Sequence, residues 1–264
     1  MVYAEQYRVG PALDADLEAL RLYTAVGNRT RAAASELNVG ASFALCGAWD
    51  RAEQHTLASL LQHAALDDHG LDPYTWCQLA EIHAGRGQSA DAERLFTQGF
   101  ETIRELGDEA GLRIKLPEWG RFLTDAGRHQ QALLVLREAI DVRTPIGAEH
   151  HLLTVRAILA RALAGLGDTS DAVALVGQVW EGIERRQARG LPFPLESIGD
   201  CASVLTATDP RFEGMMELGR RVARDVVSEL TDPDLRATFL DLADVRFVSH
   251  QPALLRQVDT PMVE

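Results

Sequence analysis

The sequence predicts an all-α solenoid of stacked helical hairpins, and three observations predict it. Glycines recur at a fixed interval of forty: Gly47, Gly87, Gly127 and Gly167. Each is followed five positions on by an alanine (Ala52, Ala92, Ala132, Ala172) and preceded, seven positions back, by a small residue (Gly40, Ala80, Gly120, Ala160). A second glycine series, Gly27, Gly107 and Gly147, keeps the same interval and is broken only at Asp67. Self-similarity at such a period is the signature of repeat architectures, in which each unit buries its apolar face against the next.

The elements follow in order. Residues 1–11 read as irregular, and a lone helix covers 12–26. Hairpins then cover 29–64, 72–106, 109–143 and 149–189. Within the third hairpin, Leu116, Trp119 and Leu123, then Ala132, Leu133, Leu136 and Ile140, fall on one face of a 3.6-residue helix. Gly127 lies where the first helix of that pair stops, in a place that suits a left-handed cap. Small residues at Gly120 and Ala132 let two helices cross closely. After Leu191-Pro192-Phe193-Pro194 the pattern loosens into a degenerate repeat and cap over 195–248. Helices are predicted at 195–207 and 211–230, with Ala207 replacing the glycine. A last helix begins near Thr231-Asp232-Pro233-Asp234, with proline at its first position, and the tail 249–264 reads as irregular. The lone helix holds a second-helix position, because Ala12 precedes Ala52 by forty residues. Its apolar Leu13, Leu17, Leu20 and Leu22 predict either a segment of a longer repeat protein or a homo-oligomer formed through the open N-terminal end.

Composition narrows the function classes. The chain has 264 residues, 46% hydrophobic and 25% charged, enough apolar material to offset chain entropy. No uncharged apolar run approaches the length of a membrane span, and the polar N-terminus lacks a signal-peptide core. A net charge of −13 argues against a general affinity for nucleic acid or anionic lipid. Among 26 basic residues Lys115 is the only lysine. Cys46, Cys77 and Cys201, odd in number and widely spaced, suit reduced thiols in a cytoplasm.

In the second unit Trp76, Leu79, Ala80, Gly87, Ala92 and Phe96 stand at spacings that resemble the tetratricopeptide repeat consensus. The forty-residue period resembles that family's extended-helix subclass, found in the sensor regions of large bacterial ATP-dependent transcription activators. The stretch from Leu230 to Leu240 is similar to the closing segment of those activators and of cyclase-associated ATPases. It departs from them at Asp244-Val245-Arg246, where a proline-asparagine-arginine element is expected. The resemblance implies a right-handed superhelix and a protein-interaction or sensor module of a bacterial cytoplasmic regulator, one that controls transcription. It implies no catalysis and no cofactor. The partner it implies is a protein or peptide, other domains of a parent chain included, held in a concave groove. The alternative is a receptor for a small-molecule or peptide signal that alters the superhelix. Carried over position by position, the groove residues are Asn38 and Ala41, Gln78 and Glu81, Glu118 and Arg121, and Ile158 and Arg161. Leu37 and Ala41 stand where peptide-tail binders of the family carry their carboxylate clamp, which disfavours a chaperone-tail receptor.

Other constellations are read as structural. Gly85-Arg86-Gly87-Gln88-Ser89 lacks the lysine a phosphate loop needs. Arg31 to Phe43 mimics a helix-turn-helix, yet residues 41–48 carry no arginine, lysine, asparagine or glutamine to meet base edges. Arg185, Arg186 and Arg189, with Arg220, Arg221 and Arg224, are better anion candidates and are read as a solvated helix face. His150 and His151 are neighbours on a helix and point about 100° apart, and His69 stands beside Asp67 and Asp68 without a metal-site spacing. Gly40 to Ala44, which evokes a nucleophile elbow, falls mid-helix rather than in a strand-to-helix turn. The cysteines are read as buried small hydrophobes.

Overall fold

Each described glycine of the two series ends a helix. A computed structural model describes residues 7–143 and 149–248; Gly147 and the tail 249–264 lie outside them. Among the described residues the protein is all-α, with twelve helices and no strand. In chain order these are α1 (Val9–Ala25), α2 (Arg29–Leu45), α3 (Trp49–Ala64), α4 (Asp72–Gly85), α5 (Ser89–Glu105), α6 (Glu109–Asp125), α7 (His129–Asp141), α8 (Glu149–Gly165), α9 (Thr169–Arg186), α10 (Pro194–Val204), α11 (Phe212–Glu229) and α12 (Pro233–Val248).

The two glycine series merge into one twenty-residue rhythm of left-handed caps. Gly27, Gly47, Gly87, Gly107, Gly127 and Gly167 all have positive φ. At Gly127 its N–H donates to Thr124 O at 3.1 Å and the Arg128 N–H to Leu123 O at 2.8 Å, the paired bonds of a Schellman motif. Asp67, the one break in the series, takes the same conformation with φ 53°, and Gln187 continues the rhythm at φ 50°. Aspartate and asparagine tolerate this region better than most non-glycine residues, so the turn survives the substitution. Beyond Gln187 the rhythm stops: α10 ends on an extended Leu205.

The small-residue marks sit at helix crossings. Ala52, Ala80, Ala92, Ala132, Ala160 and Ala172 are fully buried. A Cβ on Gly120 would stand 2.5 Å from Leu136 Cδ2, and one on Gly40 would stand 2.5 Å from Thr56 Oγ1. Helices pack mainly on their sequence neighbours, in a solenoid-like stack. The first helices α2, α4, α6 and α8 also pack on one another, whereas each second helix makes its cross-hairpin contacts with the next first helix. The first helices therefore line the inside of the curve. Polar links between residues 33 to 36 apart, such as Arg86 with Glu53 and Arg104 with Glu138, join one hairpin to the next.

The two ends of the stack meet. Helix α11 packs on α1, Arg8 pairs with Glu229 at 2.8 Å and Arg51 with Asp232 at 2.8 Å. One buried cluster joins Val9, Leu13 and Phe43 near the start to Ile198, Val226 and Phe239 near the end. The apolar side of α1 that the sequence leaves unpartnered is thus covered in part by this chain, although Leu17, Leu22 and Val26 remain 37%, 47% and 74% exposed. Helix α1 begins at Val9, ahead of the Ala12 expected from the sequence. Pro11 is its third residue, where the missing N–H has no helical acceptor in any case. Among the described residues no helix is long and apolar enough to cross a membrane.

Candidate functional site: the polar row on the first helices

The groove residues inferred from the sequence fall on α2, α4, α6 and α8, and the structure sorts them into three groups. Asn38 on α2 is exposed. Gln78 on α4 is buried: its Nε2 donates to Leu37 O at 3.0 Å and to Thr56 Oγ1 at 2.8 Å. Gly40 leaves room for that amide, since a Cβ there would stand 2.7 Å from Gln78 Nε2. Gln78 therefore ties the first hairpin to the second from within, and Ile158 on α8 is likewise buried.

The second group surrounds the only lysine. Lys115 Nζ lies 3.1 Å from Glu81 Oε1 and 2.8 Å from Glu118 Oε2, with its side chain 12% exposed. Burial, and then the charge of Glu81, push the Glu118 carboxyl well above the usual carboxylate range. Burial pulls Lys115 down, but the two carboxylates outweigh it and hold its ammonium above the usual value. The cluster therefore holds one cation between two carboxyl groups that compete for it, spanning the second and third hairpins.

Beside it, α6 carries Pro117 in its interior. Proline has no N–H, so the carbonyl four residues earlier, Arg113 O, loses its helical donor. Arg143, just past α7, donates from Nη2 to that carbonyl. Arg143→Met removes the replacement donor and leaves a carbonyl without a partner. The expected cost is about 1–2 kcal/mol in a urea melt, and an unchanged midpoint would show the contact to be idle.

The third group closes the far end of the row. Arg121 on α6 and Arg161 on α8 both reach Asp200 of α10, at 2.9 Å and 2.8 Å, and Arg161 also pairs with Asp125. Asp200 is buried, and Ser197 one turn earlier bonds Thr154 of α8 at 3.1 Å. The two arginines are thus held by the chain's own next first helix. Asp200, Lys115 and Arg143 were missed in the sequence. Asp200 had a signal: it stands forty residues after Ala160, at the fifth place of the small-residue series, where a charge is out of character.

The phosphate-loop and helix-turn-helix look-alikes have plain structural roles. Gly85 packs against the Trp49 ring and Arg86 pairs with Asp50 and Glu53. The segment from Arg31 to Phe43 runs within the single helix α2. Among the described residues no group of three or more His, Cys, Asp or Glu is placed to hold a metal ion. Cys46, Cys77 and Cys201 are free and fully buried. Burial pushes the Cys46 and Cys77 thiols up to about 12, and Cys201 upward as well. Because the thiolate is the reactive form, native protein at pH 8 should leave all three unlabelled by iodoacetamide while urea-unfolded protein labels fully. Rapid native labelling of any one of them would contradict its burial.

No protein-family model matches the chain, and no curated protein matches it.

Proposed function

We propose that this chain is a tetratricopeptide-type interaction or sensor module of a bacterial cytoplasmic regulator, one that controls transcription, and that it takes up a protein or peptide segment along the row of first helices. The observation that carries this reading is the side-by-side packing of the first helices α2, α4, α6 and α8 over buried alanine and glycine crossings, with Asn38 exposed and Glu81 half-buried on them. Stacked hairpins of this kind present an extended concave face that a peptide or a partner helix can follow. The accessible part of the row runs from Asn38 to the half-buried Glu81, whereas Glu118 is mostly buried beside Lys115. Arg121 and Arg161 are occupied by Asp200, so reversing their charges would attack the fold as well as any partner.

The test therefore uses Asn38, which is exposed and whose side chain forms no hydrogen bond or ion pair among the described residues. Wild-type protein and Asn38→Arg are used as baits in native bacterial lysate. A partner held by the wild type and lost by Asn38→Arg, at equal melting temperature, supports the reading. Equal capture by both removes the groove from the account.

A second reading, a receptor for a small-molecule or peptide signal, is favoured by one observation. A cleft opens where the ends of the stack meet, lined by Arg8, Arg189, Pro194, Val222, Asp225 and Glu229 among others. A ligand there would touch both ends at once and couple its binding to the curvature of the stack. A thermal shift produced by a small metabolite, without a protein partner, selects this reading over the first.

A further inference from the structure

Many cations of this protein are neutralised within the chain. Arg86, Arg104, Arg121, Arg128, Arg161 and Arg211 each pair with carboxylates. At the C-terminal end of α9 and along α11 the pattern reverses. Arg185, Arg186, Arg189, Arg221 and Arg224 are exposed, and none forms an ion pair among the described residues. The two sequence clusters to which they belong are joined into one surface by Arg221 Nη2, which donates to Gln187 Oε1 at 2.7 Å. The helix dipole accounts for Arg185 and Arg186 in the last turn of α9. It does not account for Arg189 beyond the helix end, or for Arg221 and Arg224 midway along α11.

Five exposed guanidiniums that form no ion pair among the described residues, in a chain of net charge −13, make a local surface that attracts anions. We propose that this face is a docking surface for a short acidic peptide segment of a partner protein, gripped through its carboxylates. Guanidinium matches a carboxylate in bidentate geometry. A long polyanion such as duplex DNA fits the surface less well. Beyond the patch it meets the field of the acidic remainder, and Glu184 and Asp225 stand among the arginines. A short segment spans the patch alone, and at a Debye length of about 8 Å in physiological salt it is screened from the rest. The face lies on the second helices α9 and α11 and on Arg189 just past α9, at the edge of the cleft and away from the row of first helices. It goes beyond the groove reading and stands or falls separately from it.

Fluorescence anisotropy with a labelled oligoglutamate peptide and the full chain tests the proposal. Binding is expected, weakening steeply between roughly 50 mM and 200 mM salt. The variant Arg185→Gln/Arg186→Gln/Arg189→Gln should bind at least about tenfold more weakly; none of those side chains makes a hydrogen bond or ion pair that the fold would lose. Arg224→Gln alone should weaken binding roughly threefold. Arg29→Gln/Arg31→Gln, which removes two exposed arginines at the start of α2, should leave it unchanged. Equal affinity in the triple variant, no binding by the wild type, or tighter binding of a DNA duplex through the same arginines overturns the proposal.

Discussion

Ala132→Trp is expected to lower the melting temperature by roughly 10 °C. Ala132 is fully buried at the start of α7, in the third hairpin. The crossing of α6 and α7 is already tight, because a Cβ on Gly120 would come within 2.5 Å of Leu136. An indole cannot be housed there without separating the axes, and overpacking of a close-packed core costs about 3 kcal/mol at its upper range. For a domain of this size that corresponds to a shift of roughly 6–12 °C. Calorimetry reads the result directly; a melt within a degree or two of wild type would mean that Ala132 does not stand at a helix crossing. The equivalent change at Ala92, also fully buried, should behave alike, since the two positions occupy the same place in successive units.

Lys115→Met is expected to destabilise by about 3 kcal/mol, because removing one partner of a buried charged group leaves the others uncompensated. Glu81 and Glu118 would then face each other without the ammonium between them. The pH dependence carries the sign. In the folded wild type the Glu118 pKa is raised by burial and by Glu81. Below about 4.5, the ordinary value for a glutamate, folded and unfolded states both hold the proton. As pH rises above that value the unfolded chain releases it while the folded chain retains it, so this group's contribution to stability declines with rising pH. Without Lys115 the decline should steepen, and the deficit of the variant should shrink as pH falls towards 4. Urea melts at pH 4.5 and pH 7.5 check this. A deficit that is independent of pH would mean that methionine costs packing rather than charge.

The repeating part of the fold was legible because its marks are backbone requirements. A left-handed cap every twenty residues calls for glycine, and a close crossing calls for alanine or glycine, so both leave traces in the sequence. Asp67 shows the limit of that signal: the turn persists without its glycine. The start of α1 is less legible because residues 1–11 are few and polar, yet the helix begins at Val9 with Pro11 in its first turn, where proline breaks nothing.

The site was less legible because its partners come from far along the chain. Gln78 turned inward because Gly40, thirty-eight residues earlier, leaves space for its amide. Arg121 and Arg161 are held by Asp200, 79 and 39 residues away, from a helix where the repeat marks have already failed. Nothing local to those arginines announces a carboxylate that distant. Arg143 serves Arg113 O only because Pro117 vacates it, a relation among three residues that no periodic pattern encodes.

The central claim is that hairpins stack in chain order into one body whose two ends meet. Cysteines placed at Arg8 and Glu229, whose side chains now touch at 2.8 Å, test it directly with a short bis-maleimide at low protein concentration, since the three native thiols are buried. The account predicts rapid intramolecular coupling in native protein and none after unfolding in urea. Native protein that labels at both sites without coupling would contradict it.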